Sequence, residues 1–150
     1  MDLILWRHAE AADGWPDEAR PLTARGKKQA LRAARWLKKR LPPEFTLLVS
    51  PAVRARETAA PLSEEGRLEE RVGLGAKATG LLEAAGWPGG EGTVVVVGHQ
   101  PTLGEAAGIL LAREALPIRV RKGSLWWFRA KRRGELWETT LLSVVDPDLL

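Results

Sequence analysis

The sequence predicts a three-layer α/β/α fold, with a mostly parallel central sheet and a C-terminal hairpin, in a single domain over residues 1–150. Two observations carry that expectation. Short, uninterrupted apolar runs alternate with segments of helical period, which is how strands buried on both faces and their crossover helices read. Beyond residue 118 the pattern changes to two strand-like stretches separated by a charged turn, the mark of an antiparallel hairpin.

Taken in order, residues 2 to 6 read as the first strand, ending at the charged pair Arg7–His8. "TARGKKQALRAARWLKKRL" (23–41) reads as a helix capped by Thr23, with Ala30, Leu31, Ala34, Leu37 and Leu41 on its apolar face and Pro42–Pro43 as its stop. "FTLLVS" (45–50) is the second strand. "PAVRARETAAPL" (51–62) follows as a helix opening at Pro51, a favoured first-turn residue. A glycine-spotted link (66–75) leads to a helix over 76–86 and then to a strand over 93–97, "TVVVV". A helix from Pro101 to Arg113 precedes the hairpin. The hairpin is expected to pack Leu125, Trp127 and Leu136 on one face and to turn at "KRRG" (131–134).

The composition narrows function. Hydrophobic residues make up 45% of the 150 and charged residues 28%, enough for a buried core without metals or disulfides. No apolar run approaches the roughly 20 residues that span a bilayer, and no basic, apolar leader opens the chain, so a cytoplasmic location is expected. The absence of cysteine excludes a thiolate zinc site and a thiol nucleophile. Two histidines are too few for a binuclear metal centre, and neither a metal nor a cofactor is expected. The formal net charge of +4 raises nucleic acid as a partner. Its densest stretch, residues 119–137, is interrupted by Glu135, flanked by Glu114 and Glu138, and carries no nucleic-acid motif, so it reads as a solvated hairpin. Asp146 and Asp148, in "VVDPD", read as a solvated terminus.

Both histidines stand at strand ends. His8 follows the first strand, the Ser50–Arg54 stretch follows the second, and His99 follows the run "VVVVG". In open α/β sheets, ligands bind beyond the carboxyl ends of the strands. Two guanidiniums, Arg7 and Arg54, suit a phosphate, and helices opening near Pro51 and Pro101 would add backbone N–H groups. The set points to a dianion with an imidazole beside it.

The motifs "RHAEA", "RPLTARGKKQA", "SPAVRARETA" and "VVVVGHQPTL", in this order, resemble the histidine phosphatase superfamily, and most closely its small SixA-type phosphohistidine phosphatases. The resemblance runs from residue 3 to about residue 110. Ala9 stands where the family usually has glycine. The resemblance implies that His8 is the nucleophile that takes the phosphoryl group, with Arg7, Arg54 and His99 forming the rest of the phosphate pocket. Protonated His99 would then join the arginines in stabilising the equatorial oxygens without a metal. It also implies accessory phosphate or substrate contacts from Asp17 and Arg20.

A general acid has no clear match. Residues 63–80 offer Glu64, Glu65, Glu69 and Glu70, while Glu10 and Asp17 lie nearest the motif residues and are the possible acids. A phosphohistidine substrate needs little help, because its imidazole is a good leaving group. The expected function is therefore a phosphatase acting on phosphohistidine proteins. The alternatives are a broad small-molecule phosphomonoesterase or a non-catalytic domain that binds anions or nucleic acid. The expected partner is a phosphorylated protein or small phosphorylated substrate, with no specific nucleic acid and no membrane; the oligomeric state is left open.

Overall fold

The computed structural model describes residues 1–150. Strands β1 (Asp2–Arg7), β2 (Thr46–Val49), β3 (Arg67–Leu68), β4 (Thr93–Gly98), β5 (Leu125–Arg133) and β6 (Leu136–Val145) form one sheet in the order β3-β2-β4-β1-β5-β6. Pairings among β1 to β4 are parallel, and β5 and β6 are antiparallel additions beyond β1. Helices α1 (Ala24–Lys38), α2 (Val53–Ala59), α3 (Ala78–Ala85) and α4 (Thr102–Ala112) supply the outer layers. None is long and apolar enough to cross a membrane.

The period-2 alternation of the strands decides which layer each residue meets. Leu3, Leu5, Val94 and Val96 point to one face and pack with Leu81 and Leu82 of α3 and with Leu103, Ala106 and Leu110 of α4. Ile4, Trp6, Val95 and Val97 point to the other and pack with Ala33, Ala34 and Leu37 of α1 and with Ala55 and Ala59 of α2. Both faces of β1 and β4 are therefore covered, which is why those strands read as unbroken apolar runs.

Several local expectations are corrected. Leu31 is 41% exposed: the buried stripe of α1 runs through Ala30, Ala33, Ala34 and Leu37, and Leu31 falls just off it. α1 ends at Lys38, and α2 begins at Val53 with Ala52 as its cap, so Pro51 precedes the helix. The glycine-spotted link contains a two-residue strand, β3, at the sheet edge. The hairpin turns at Gly134–Glu135, where Gly134 takes φ +62°, and residues 131–133 belong to β5. Leu136, placed in the core by its pattern, is 69% exposed near the tip of the arm. Asp146 and Asp148 are not a free, solvated end. Asp146 accepts from Arg121, and Asp148 accepts from Arg25 (3.0 Å) and Gln29 (3.1 Å), tying the terminus to α1.

The root of the hairpin is fastened to β1 by ions as well as by packing. Buried Asp2 accepts from Arg129 Nε (2.7 Å) and from Trp127 Nε1 (3.0 Å). Burial opposes its ionisation, but these bonds outweigh it and hold the carboxyl below its usual pKa.

Candidate active site

The parallel register aligns Arg7 with Gly98 and Val49 with Val97, so His8 and His99 leave β1 and β4 at one level and Ser50 leaves β2 one residue short of it, level with Gly98. Backbone bonds continue past the strand ends, from His8 N–H to Gly98 O (3.1 Å) and from Ser50 N–H to Val97 O (3.0 Å). The loop after His8 is clamped to α1 through Thr23, whose N–H donates to Glu10 O (3.0 Å). A side chain at Gly26 would put its Cβ 2.0 Å from that same carbonyl, so only glycine lets α1 approach so closely. On the far side, Gly104 of α4 abuts Ile118 O, where a Cβ would stand 1.8 Å away. That contact seats the segment whose Val120 carbonyl braces Arg7.

Arg7, His8, Arg54 and His99 line one cavity of about 210 Å³, and Arg20 reaches it from the loop before α1. Both histidines are buried, and their ring centres lie 5.1 Å apart. His8 Nδ1 lies 2.8 Å from Ala9 O. A carbonyl can only accept, so Nδ1 carries the hydrogen and Nε2 keeps the lone pair a nucleophile needs. Burial, reinforced by the charges of Arg54 and Arg7, lowers the His8 pKa to about 3 even against the favourable Ala9 bond. The ring is neutral at pH 7.

Arg54, only 3% exposed, enters from the first turn of α2. Its Nη1 donates to Asp17 O (2.7 Å) and its Nη2 to Asp17 Oδ2 (3.1 Å). Arg7 donates through Nη1 to Val120 O (2.9 Å). His99 Nε2 lies 2.7 Å from Ser50 Oγ. After these bonds, three buried nitrogens have no partner: Arg7 Nε, Arg54 Nε and His99 Nδ1. All three belong to cavity-lining residues. Buried donors are otherwise almost always bonded, so this clustering marks a place shaped for acceptor oxygens.

Three details differ from expectation. His99 is not protonated in the free pocket, because burial and then Arg54 lower its pKa to about 4. The helix ends are occupied in part: Leu103 N–H bonds to His99 O, Gly104 N–H to Gln100 Oε1, and the capping Ala52 N–H to Ser50 Oγ. Asp17 lies outside the cavity as a half-buried brace between Arg20 (2.9 Å) and Arg54. Those two arginines hold its carboxyl below the usual range, the wrong direction for a general acid. The other possible acid, Glu10, accepts from the Thr23 hydroxyl (2.7 Å), and no carboxylate lines the cavity.

The family model of the histidine phosphatase superfamily (branch 1) matches residues 3–75, the span holding Arg7, His8 and Arg54. The phosphohistidine phosphatase SixA of Escherichia coli is 30% identical over 127 residues, covering 79% of each chain. The chain belongs to the histidine phosphatase superfamily. Among solved structures, a protein assigned as the phosphohistidine phosphatase SixA of Nakamurella multipartitia superposes with a TM-score of 0.71 at 32% identity, over 85% of this chain and 83% of that one. The protein histidine phosphatase SixA complexed with tungstate gives a TM-score of 0.80 at 23% identity, over 99% of each chain, a likeness of fold. The chain is thus a phosphatase of the SixA-type branch of this superfamily, a hydrolase.

Sequence reasoning passed over three residues at this histidine phosphatase site. Lys122 and Gln100 line the cavity, and Ser50 bonds His99. Lys122 was hidden in a charged stretch read as solvated. Ser50 stands at a strand end just as the two histidines do, which is the signal that could have found it.

Proposed function

We propose that the chain hydrolyses phosphohistidine side chains of proteins in the cytoplasm, through a phosphoryl group carried on His8. The observation that carries this reading is the trio of buried, unpartnered nitrogens, Arg7 Nε, Arg54 Nε and His99 Nδ1, all on residues that line the cavity with His8. In the first step His8 Nε2 forms a bond to phosphorus as the phosphorus–nitrogen bond to the substrate imidazole breaks. In the second, water attacks phosphorus, releasing inorganic phosphate and regenerating neutral His8. The guanidiniums and the His99 N–H group meet the oxygens on which charge accumulates, the larger part of catalysis in phosphoryl transfer.

The substrate class follows from what the cavity lacks. An alkoxide leaving group needs a proton, and no carboxylate lines the cavity to give one. An imidazole protonated on its other nitrogen leaves as a neutral molecule. The relative in Escherichia coli bears the name phosphohistidine phosphatase, and the tungstate bound to the other SixA is a tetrahedral oxyanion like phosphate. Arg20 and Lys122 are suited to further contacts with the substrate around the phosphoryl group.

The test is a turnover panel of a phosphohistidine protein, aryl phosphates, alkyl phosphates and nucleotides. Phosphohistidine and aryl phosphates should turn over, and alkyl phosphates should lag by about 10²-fold or more, the usual contribution of an acid that is missing here. Equal rates on alkyl and aryl esters would contradict the proposal.

A further inference from the structure

We infer that Ser50 is a positioning residue: its hydroxyl, bonded to His99 Nε2, keeps a hydrogen on Nδ1 of that ring, where it is presented to the phosphoryl oxygens. The inference rests on the phosphatase reading of the pocket and adds a residue whose part in it is to set a tautomer.

Ser50 and His99 are both buried, so water does not decide how their protons are placed. A hydroxyl has one hydrogen to donate and two lone pairs to accept with. Ala52 N–H donates into Ser50 Oγ at 3.2 Å, and the remaining partner of Oγ is His99 Nε2 at 2.7 Å. Two arrangements are open. If the hydroxyl donates to Nε2, the Ala52 N–H, the serine hydrogen and the Nε2 lone pair are all matched, and the ring hydrogen lies on Nδ1, the one group left without a protein partner. If Nε2 donates to Oγ instead, the serine hydrogen has no acceptor, and Nδ1 brings a lone pair toward anionic oxygens. The first arrangement leaves one buried group unmet, a donor that phosphoryl oxygens can satisfy; the second leaves two, the serine hydrogen and the Nδ1 lone pair, and turns that lone pair toward anionic oxygens, so the first prevails.

The same hydroxyl suits the other charge state of the ring. When a phosphoryl dianion enters and His99 takes up a proton, Oγ rotates to accept from Nε2–H while Nδ1–H is untouched. A carboxylate in this place would favour the imidazolium at all times, and an apolar side chain would hold neither state. Serine keeps Nδ1–H in both. Its position is set by β2, whose pairing of Val49 with Val97 of β4 brings Ser50 to the strand end that carries His99.

The chain has only two histidines, so long-range ¹H–¹⁵N spectra of the labelled protein show only two imidazoles. At neutral pH both should carry hydrogen on Nδ1 and none on Nε2, His8 because of Ala9 O and His99 because of Ser50. In Ser50→Ala, His99 should shift toward hydrogen on Nε2 while the His8 pattern stays unchanged, which reports an intact pocket. The turnover number on an aryl phosphate should fall about tenfold, the scale of one well-placed hydrogen bond. Ser50→Thr should restore both the tautomer and the rate. A wild-type His99 with hydrogen on Nε2, or a Ser50→Ala protein unchanged in tautomer and rate, would overturn the inference. The tautomer is read without substrate. Failure on phosphohistidine with the pattern intact would therefore count against the proposed substrate and leave the positioning role of Ser50 standing.

Discussion

The molecule holds two arginine clusters of opposite character. At the strand ends, Arg7 and Arg54 are each braced by a carbonyl or carboxylate through their terminal nitrogens, and each keeps a buried Nε unmatched. At the hairpin tip, Lys131, Arg132 and Arg133 are exposed. Arg132 donates to Gly134 O and lies over Trp137, 5.8 Å from its ring centre, and Arg133 pairs with Glu138 at 3.5 Å. Water solvates whatever the tip leaves unpaired. In the pocket the unmatched nitrogens are buried, leaving them unmet is costly, and an anion relieves them. Charge density along the sequence is greater at the tip; burial makes the pocket the site.

The comparison predicts unequal effects. His8→Ala removes the nucleophile and should lower turnover of a phosphohistidine protein by about 10⁴-fold or more, as losses of covalent nucleophiles do. Steady-state rates measure it, and a residual rate within tenfold of wild type would break the account. Arg54→Lys keeps the charge but loses the planar fork that bonds Asp17 and presents Nε. Turnover should fall about 10²-fold. A loss of only two- or threefold would mean that the pocket uses Arg54 as a point charge.

Acid should act on the pocket through its neutral histidines. Their folded pKa values, about 3 for His8 and about 4 for His99, lie below the unfolded value near 6.5. The unfolded chain therefore binds more protons in this window, and stability rises with pH there. The stabilising contribution is fully present above about pH 6.5 and is lost as pH falls toward 4 and then 3. Thermal melts across that range should show the decline, on the order of a few kcal/mol. The double variant His8→Asn, His99→Asn should flatten it, and an equal decline in that variant would assign the acid sensitivity elsewhere.

The smallest effect belongs to the tip. Arg132→Gln with Arg133→Gln should change turnover on an aryl phosphate by less than about twofold and stability by no more than about 0.5 kcal/mol, as for other exposed charges. Denaturant melts and steady-state rates check both. Tight, sequence-dependent nucleic-acid binding that vanishes in this variant would give the tip a function of its own.

The sheet core was legible because β1, β2 and β4 are buried on both faces, and unbroken apolar runs have few other readings. The four residues brought together in the pocket were legible because each lies one to five residues past such a run. The hairpin was harder. The register shift between Trp127 and Phe128 and the projection of the arm beyond the core depend on which residues the body covers, and period-2 patterning carries no record of that. Leu136 was misplaced for this reason. The neutral state of His99 in the free pocket was not legible, because burial, invisible in the sequence, outweighs the proximity of a carboxylate. Asp17 looked like a contact or an acid from its place in the chain, and only the fold puts its carboxylate against two guanidiniums.

The central claim is that phosphorus passes through His8 Nε2. Brief mixing with ³²P-labelled phosphohistidine protein, followed by an alkaline quench and peptide mapping, tests it most directly. The account predicts label on the peptide containing His8, stable in base, rapidly lost in acid and absent in His8→Ala. Label that survives acid, or that maps to a serine or aspartate, would contradict it.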